Sequence, residues 1–234
     1  RQAALRSGAA AQSFLFTPAP MPPIAVIDFE TTGISPGQGA RATEVAIVLV
    51  EGGQVVGQFQ SLMNAGVHIP PFITQLTGIT NAMVADAPPA GEVMAQAHRF
   101  VGDMPLVAHN APFDRGFWQA ELGRAGCDAP HPFACTVRLA RRLYPEAPNH
   151  QLGTLARFHQ LPSAGRAHRA LADAQVTAAL LLRIQQDLAE RWGVADAGHD
   201  FLMALQACAK AQLPTFLHKH GAAALPQPTR YAAR

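Results

Sequence analysis

Apolar positions along the chain repeat in two rhythms, and their order predicts strands and helices that take turns. Ile24-Ala25-Val26-Ile27 is a short apolar run with the composition of a buried strand, and it ends in Asp28-Phe29-Glu30-Thr31-Thr32-Gly33. Thr43 to Val50 reads as a second strand, Glu51-Gly52-Gly53-Gln54 as a hairpin turn and Val55 to Met63 as a third strand, so the chain opens with a meander. Pro70 to Thr80 predicts a short helix closed by Gly78, and Val93, Met94, Ala97, Phe100 and Val101 place another over Gly91 to Val101. Leu106-Val107-Ala108 is a brief strand. The helix after it is expected to take Asn110 as N-cap and Pro112 in its first turn, to carry Phe113, Phe117 and Leu122, and to end near Gly123 or Gly126. Thr136 to Leu143, stopped by Pro145, and Leu152 to Phe158 are further helices. The longest helix opens within Gly165 to Ala174, its buried stripe marked by Ala172, Val176, Leu180, Ile184 and Leu188.

The ends of the chain have a different character. Residues 1–21 are alanine-rich up to Met21, which stands just before Pro22-Pro23; they read as a disordered extension, with Met21 the functional start. Residues 22–194 form the expected domain. Residues 195–234 read as a C-terminal extension: a short amphipathic helix capped by Asp200, with Phe201, Leu205 and Cys208 on one side, then a flexible tail.

Composition narrows the class. A chain of 234 residues suits one decorated domain, and no apolar run approaches the ~20 residues a membrane helix needs, so no membrane partner is expected. The net charge of +2 does not by itself mark a nucleic-acid binder. Of 18 basic residues only Lys210 and Lys219 are lysine; arginine suits phosphate contacts, and a GC-rich genome would give the same bias. Three cysteines, Cys127, Cys135 and Cys208, without C-x-x-C spacing argue against a disulfide or zinc scaffold and for a reducing, cytoplasmic location.

The candidate chemistry begins at the end of the first strand. Side chains alternate along a strand, so Asp28 and Glu30 point the same way with Cα atoms about 6.6–6.8 Å apart. Two carboxylates at the rim of an apolar core repel unless a cation lies between them, and hard oxygen donors suit magnesium or manganese. A strand ending in two solvated acids is the plain alternative; the Thr-Thr-Gly turn beside them, rich in free N–H and hydroxyl groups, favours a site for phosphate or sugar. Asp114 falls on the first turn of its helix, where the helix dipole alone could account for an acid. Asp173 lies at the edge of the long helix's stripe, and His168 just before it.

Together D-x-E at Asp28 and Glu30, H-N-x-x-F-D at His109 to Asp114 and H-x-x-x-x-D at His168 to Asp173 resemble the three motifs of the DEDD exonucleases, and more narrowly the DnaQ-like proofreading 3′–5′ exonucleases. The resemblance runs from about Pro23 to Trp192 and includes Leu76-Thr77-Gly78-Ile79-Thr80. The histidine five positions before the last aspartate, His168, marks the histidine subtype; Arg169 occupies the position used by the tyrosine subtype. It implies an α/β fold, an RNase H-like mixed five-stranded sheet flanked by helices. It also implies a pair of Mg2+ or Mn2+ ions held by Asp28, Glu30, Asp114 and Asp173, with His168 as general base. A histidine is suited to that work near neutral pH.

By the same resemblance Phe29, Thr31 and Thr32 would lie near a terminal 3′-hydroxyl, and Leu76, Ile79, Asn110 and Phe113 would hold the last nucleotides, with stacking that tolerates any base. The expected substrate is a single-stranded or frayed 3′ end of DNA. The alternatives are an exoribonuclease trimming RNA ends and a non-catalytic module that tethers a polymerase. Gln212-Leu213-x-x-Phe216 resembles the peptides with which replication proteins dock on a sliding clamp, although Pro214 and Thr215 depart from the pattern and a segment packed on the domain is the simpler reading. Arg138, Arg141, Arg142, Arg166 and Arg169 are candidates for lining the strand's path, a solvated helix face serving the first three equally well.

Overall fold

The computed structural model describes residues 22–162, 165 and 167–221; the N-terminal extension, Arg166 and the end of the tail lie outside the described residues. Five strands form one sheet: β1 (Ile24–Thr31), β2 (Ala42–Glu51), β3 (Gln54–Leu62), β4 (Leu106–Ala108) and β5 (Phe133–Cys135). Their order is β3-β2-β1-β4-β5, with the first three antiparallel and β4 and β5 parallel to β1. This is the mixed sheet implied by the resemblance. Gly52 and Gly53 both take positive φ, as the tight turn between β2 and β3 requires.

β1 is central and covered on both faces, which explains its unbroken apolar run. Parity sorts its side chains. Ala25, Ile27 and Phe29 pack with Val93 and Met94 of α3 (Ala90–Val101) and Phe117, Trp118 and Leu122 of α4 (Ala111–Arg124). Ile24 and Val26 face the other way. They join Leu139 of α5 (Thr136–Leu143), Leu155 of α6 (Leu152–Phe158) and Leu181 and Ile184 of α7 (Ala170–Trp192). Fully burying one such isoleucine contributes about 1.5–3 kcal/mol, so the two faces fix the register of β1 firmly. The even-numbered residues Asp28 and Glu30 therefore emerge on the face where α7 begins.

Some elements depart from the expectation, and β5 was not foreseen at all. β5 has three residues between His131-Pro132 and the first turn of α5, too few to show a period. Asn110 stands at the N-cap position of α4 but in the left-handed region (φ 69°), and its side chain makes no capping bond. At the N-terminus of α8 (His199–Ala207) the capping position is Gly198, which leaves Asp200 within the first turn. In the α7 stripe Ala172, Leu180, Ile184 and Leu188 are buried, whereas Val176 borders an open cleft against α6. The helix at Pro70–Thr80 is α1 (Pro71–Thr77), closed by Gly78 at φ 76°, and α2 (Asn81–Ala85) follows it.

The segment after Ala195 is stitched to the sheet. Gln206 Oε1 accepts the Cys135 N–H at 2.7 Å, and His199 Nε2 lies 3.0 Å from the Leu106 carbonyl. Gln212 precedes α9 (Leu213–His220), in which Leu217 is buried and Leu213 and Phe216 pack against the same core. Phe216 and Phe201 lie 5.5 Å apart between ring centres.

Candidate active site

β4 pairs with β1 only at Ala25 and Val26, so β1 runs on past its parallel neighbour. The first turn of α4 fills that gap. There the Phe29 N–H donates to Oδ1 of Asp114 at 3.2 Å, and Asp114 is buried. α4 owes its position to the end of β4: His109 Nδ1 lies 2.8 Å from Thr136 Oγ1 and its Nε2 3.1 Å from the His150 carbonyl, tying β4 to α5 and to the approach to α6. Phe113 and Phe117 of α4 meet at a tilt with ring centres 5.0 Å apart, and Phe117 also meets Phe29 at 6.4 Å.

A register shift between Glu30 and Thr31 offsets the last rung of the β1–β2 ladder, in which Thr31 pairs with Ala42. Thr31 Oγ1 donates to the Gly33 carbonyl, and Thr32 exchanges bonds with Arg41, its N–H donating to the Arg41 carbonyl and its Oγ1 accepting the Arg41 N–H. On the facing side Asp173 sits in the first turn of α7 and accepts the His168 N–H at 3.1 Å. One donor atom each from Glu30, His168 and Asp173 lie within 4.8 Å of one another.

The electrostatics are those of a crowded acid cluster. Burial pushes Asp28 well above the usual carboxylate range, and the charges of Asp114, Asp173, Glu30 and Glu44 push it further. Asp114 is also raised by burial, against the opposing effect of the Phe29 N–H. Burial, then Asp173 and Glu44, raise Glu30 to about 8, with Arg169 pulling the other way. Asp173 is raised by burial and partly relieved by His168. A divalent cation is the natural remedy for such repulsion, and an all-carboxylate oxygen set with one imidazole fits a hard ion such as magnesium or manganese.

Asp28, Glu30, His168 and Asp173 open, with Phe29 and Thr31, into a pocket of about 250 Å3 whose apolar wall is Ile34, Ile73, Leu76 and Phe113; Asp114, bonded to the Phe29 N–H, is buried and does not line it. Ile34, Leu76 and nearby Phe72 are strongly exposed for their size, a surface suited to a stacked base. Three residues expected at the substrate are not among those lining this pocket. Ile79 is fully buried with Ile69, Ile73 and Val84 beneath α1, because Gly78 reverses the chain inward. Thr32 closes the 32–41 loop instead of lining the pocket, and Asn110 stands exposed before α4 without a side-chain capping bond. Sequence reasoning missed Ile34, an apolar residue in a polar loop, and Glu44, a lone acid in an apolar strand; each anomaly was visible.

Comparison with known proteins agrees with this geometry. The RNase T family profile, described as exonuclease, matches residues 25–181. A Mycobacterium tuberculosis protein named for joint exonuclease and endonuclease activity is 45% identical over 164 residues, 67% of this chain and 25% of that protein. The PolC-type DNA polymerase III of Bacillus subtilis is 38% identical over 168 residues, 71% of this chain and 12% of the polymerase. The 3′-5′ exonuclease DinG of the same organism is 38% identical over 164 residues, 70% of this chain and 18% of its own length. The chain thus spans a quarter or less of each of these relatives. Among solved structures, exonuclease X in complex with 5′-overhanging duplex DNA superposes with a TM-score of 0.58 at 29% identity, covering 83% of this chain and 99% of that one. The nuclease domain of 3′hExo, a DEDDh family member bound to rAMP, shares the fold at a TM-score of 0.61 and 20% identity, over 71% and 93% of the two chains. This chain belongs to the RNase T family of exonucleases.

Proposed function

We propose that the protein is a divalent-metal-dependent 3′–5′ exonuclease that removes nucleotides from DNA 3′ ends in proofreading or repair. The observation that carries this reading is the gathering of Asp28, Glu30, His168 and Asp173, from β1 and from the approach to α7 and its first turn, at one pocket with an apolar wall, with Asp114 of α4 buried behind it on the Phe29 N–H. Asp28, Glu30, Asp114 and Asp173 would hold two Mg2+ or Mn2+ ions. Such a pair, when bound, lowers the pKa of a coordinated water and stabilises charge on the attacked phosphate and the leaving oxygen.

The chain's own groups then have separate tasks. His168, exposed at the mouth, takes the proton of the attacking water. Leu76, Ile34 and Phe113 stack the terminal base and hold its phosphate over the acids, while the Thr31 turn meets the sugar end. DNA is favoured by the relatives, a DNA polymerase and an exonuclease solved on duplex DNA. No helix among the described residues is long and apolar enough to cross a membrane, and the free cysteines Cys127, Cys135 and Cys208 suit a reducing cytoplasm. A polymerase or clamp contact through Gln212 to Phe216 would have to recruit a helix whose Leu213, Phe216 and Leu217 already serve the core.

The test is purified protein with Mg2+ or Mn2+ on a panel of labelled single-stranded, mismatched and RNA ends. Stepwise shortening from the 3′ end that stops with a chelator and with Asp28→Ala supports the reading. Intact ends under all metals would overturn it, and faster loss of RNA would redirect it to an exoribonuclease.

A further inference from the structure

Glu44 is a carboxylate with no exposed surface, set in the apolar strand β2 and paired across the ladder with Glu30. A buried charge is tolerated only when its partners are fully supplied. Here they all come from the approach to α7 and from the next strand. Arg169 Nη2 donates to Oε1 at 2.8 Å and its Nε to Oε2 at 3.1 Å, the Ala170 N–H donates to Oε2 at 3.1 Å, and Gln60 Nε2 donates to Oε1 at 2.7 Å. Despite its burial, these bonds hold Glu44 below the usual carboxylate range, so it stays ionised.

The residue before Arg169 is His168. Its φ of 60° is left-handed, a conformation a histidine keeps only where its neighbours over-determine it. They do so from both sides: the His168 N–H is bound by Asp173, and the two residues after it are bound by Glu44. We infer that Glu44 and Arg169 are positioning residues, a buried fork that fixes the backbone of His168 so that its imidazole meets the acid cluster. One rung of the β1–β2 ladder carries both Glu30 of the cluster and Glu44 of the fork, so the distance between acids and imidazole is set by the sheet itself. This inference rests on the reading of His168 as general base.

A double-mutant cycle between Arg169 and His168 tests it, with single-turnover rates on a 3′-labelled single strand at saturating Mn2+. Arg169→Gln is expected to lower the rate about 10–100-fold, as loss of a supporting contact does. KM and the metal concentration for half-activity should hold to about twofold, although Arg169 also neighbours Glu30. Arg169→Lys, which can make one of the two bonds, should fall between. In the His168→Ala background Arg169→Gln should cost nothing further, since there is no imidazole left to place. An equal fractional loss in both backgrounds, or no loss in the wild type, would overturn the fork. If His168→Ala is as active as wild type, the general-base reading itself falls; if His168→Ala is inactive and Arg169→Gln fully active, only the fork does. Should thermal melting show that Arg169→Gln does not fold, Arg169→Lys, which keeps the charge and one bond to Glu44, is read by the same cycle.

Discussion

The backbone N–H of Phe29 and the carboxylate of Asp114 are joined at 3.2 Å across 85 positions of sequence. One bond thus ties the central strand to the first turn of α4, and it makes Asp114 a strut as well as a candidate metal ligand. Asp114→Asn keeps an acceptor for that N–H but loses the charge. The fold should survive, with nuclease activity down by at least about 10²-fold. Asp114→Ala leaves the N–H unpaired as well and should cost about 1–3 kcal/mol of stability. Activity assays beside denaturant unfolding separate the two effects; equal activity of Asp114→Asn and wild type would remove Asp114 from the site.

Crowded acids should make the fold respond to metal. Any ion that binds the native chain and not the unfolded one stabilises it, by about 2.7 kcal/mol at a hundred times its Kd. Melting temperature should therefore rise with Mg2+ or Mn2+, fall back with a chelator, and lose most of this response in Asp28→Asn with Glu30→Gln. A melting curve indifferent to both metals would count against a cation site at these residues.

How much of this was legible in the sequence follows from the range of each interaction. Parity along β1 was readable, and it puts Asp28 and Glu30 on one face; that α7 starts on that face was not. The meander and the long helices were readable too, since each extends over enough residues to show its period. β5 was not, being three residues long, and neither was the inward turn that buries Ile79 after Gly78. The missing knowledge was of partners distant in sequence. Glu44 stood out as an acid within an apolar strand, but its partner Arg169, 125 positions away, could not be read from it. Asn110 had the composition of a cap, yet a left-handed backbone took its side chain out of reach.

A second buried ion pair closes the loop behind the pocket. Glu121 of α4 receives Arg41 Nε at 2.8 Å and Nη2 at 2.9 Å, and also the Ala42 N–H at 3.1 Å. Arg41 is partly exposed, so Glu121→Ala, which takes its carboxylate away and leaves the Ala42 N–H unpaired, should destabilise the protein by about 1–3 kcal/mol. Because Arg41 also holds Thr32, the 32–41 loop should become more open to proteolysis before the rest of the chain. Urea unfolding and limited digestion check the two halves of this expectation; an unchanged midpoint would show the pair to be dispensable.

Acid should loosen the joint at the end of β4. Burial lowers the His109 imidazole to about 4, with the His150 carbonyl opposing the shift. The native state therefore prefers neutral His109, while in the unfolded chain the ring takes up a proton near its ordinary value of 6.5. A group depressed by folding gives its full stabilisation above the unfolded pKa, and that stabilisation is lost as pH falls from about 6.5 towards about 4. Each pH unit inside that window removes at most about 1.4 kcal/mol. His159 and His199 are lowered in the same sense, chiefly by burial, so total stability alone does not isolate His109. The difference between wild type and His109→Asn does. Unfolding free energies at pH 7.5, 6 and 5 should show that difference shrinking with acid, because only the wild type loses the contribution of a ring that must stay neutral between Thr136 and His150. A difference that stays constant across that range would mean that His109 titrates as it does in the unfolded chain, and that the joint tolerates its charge.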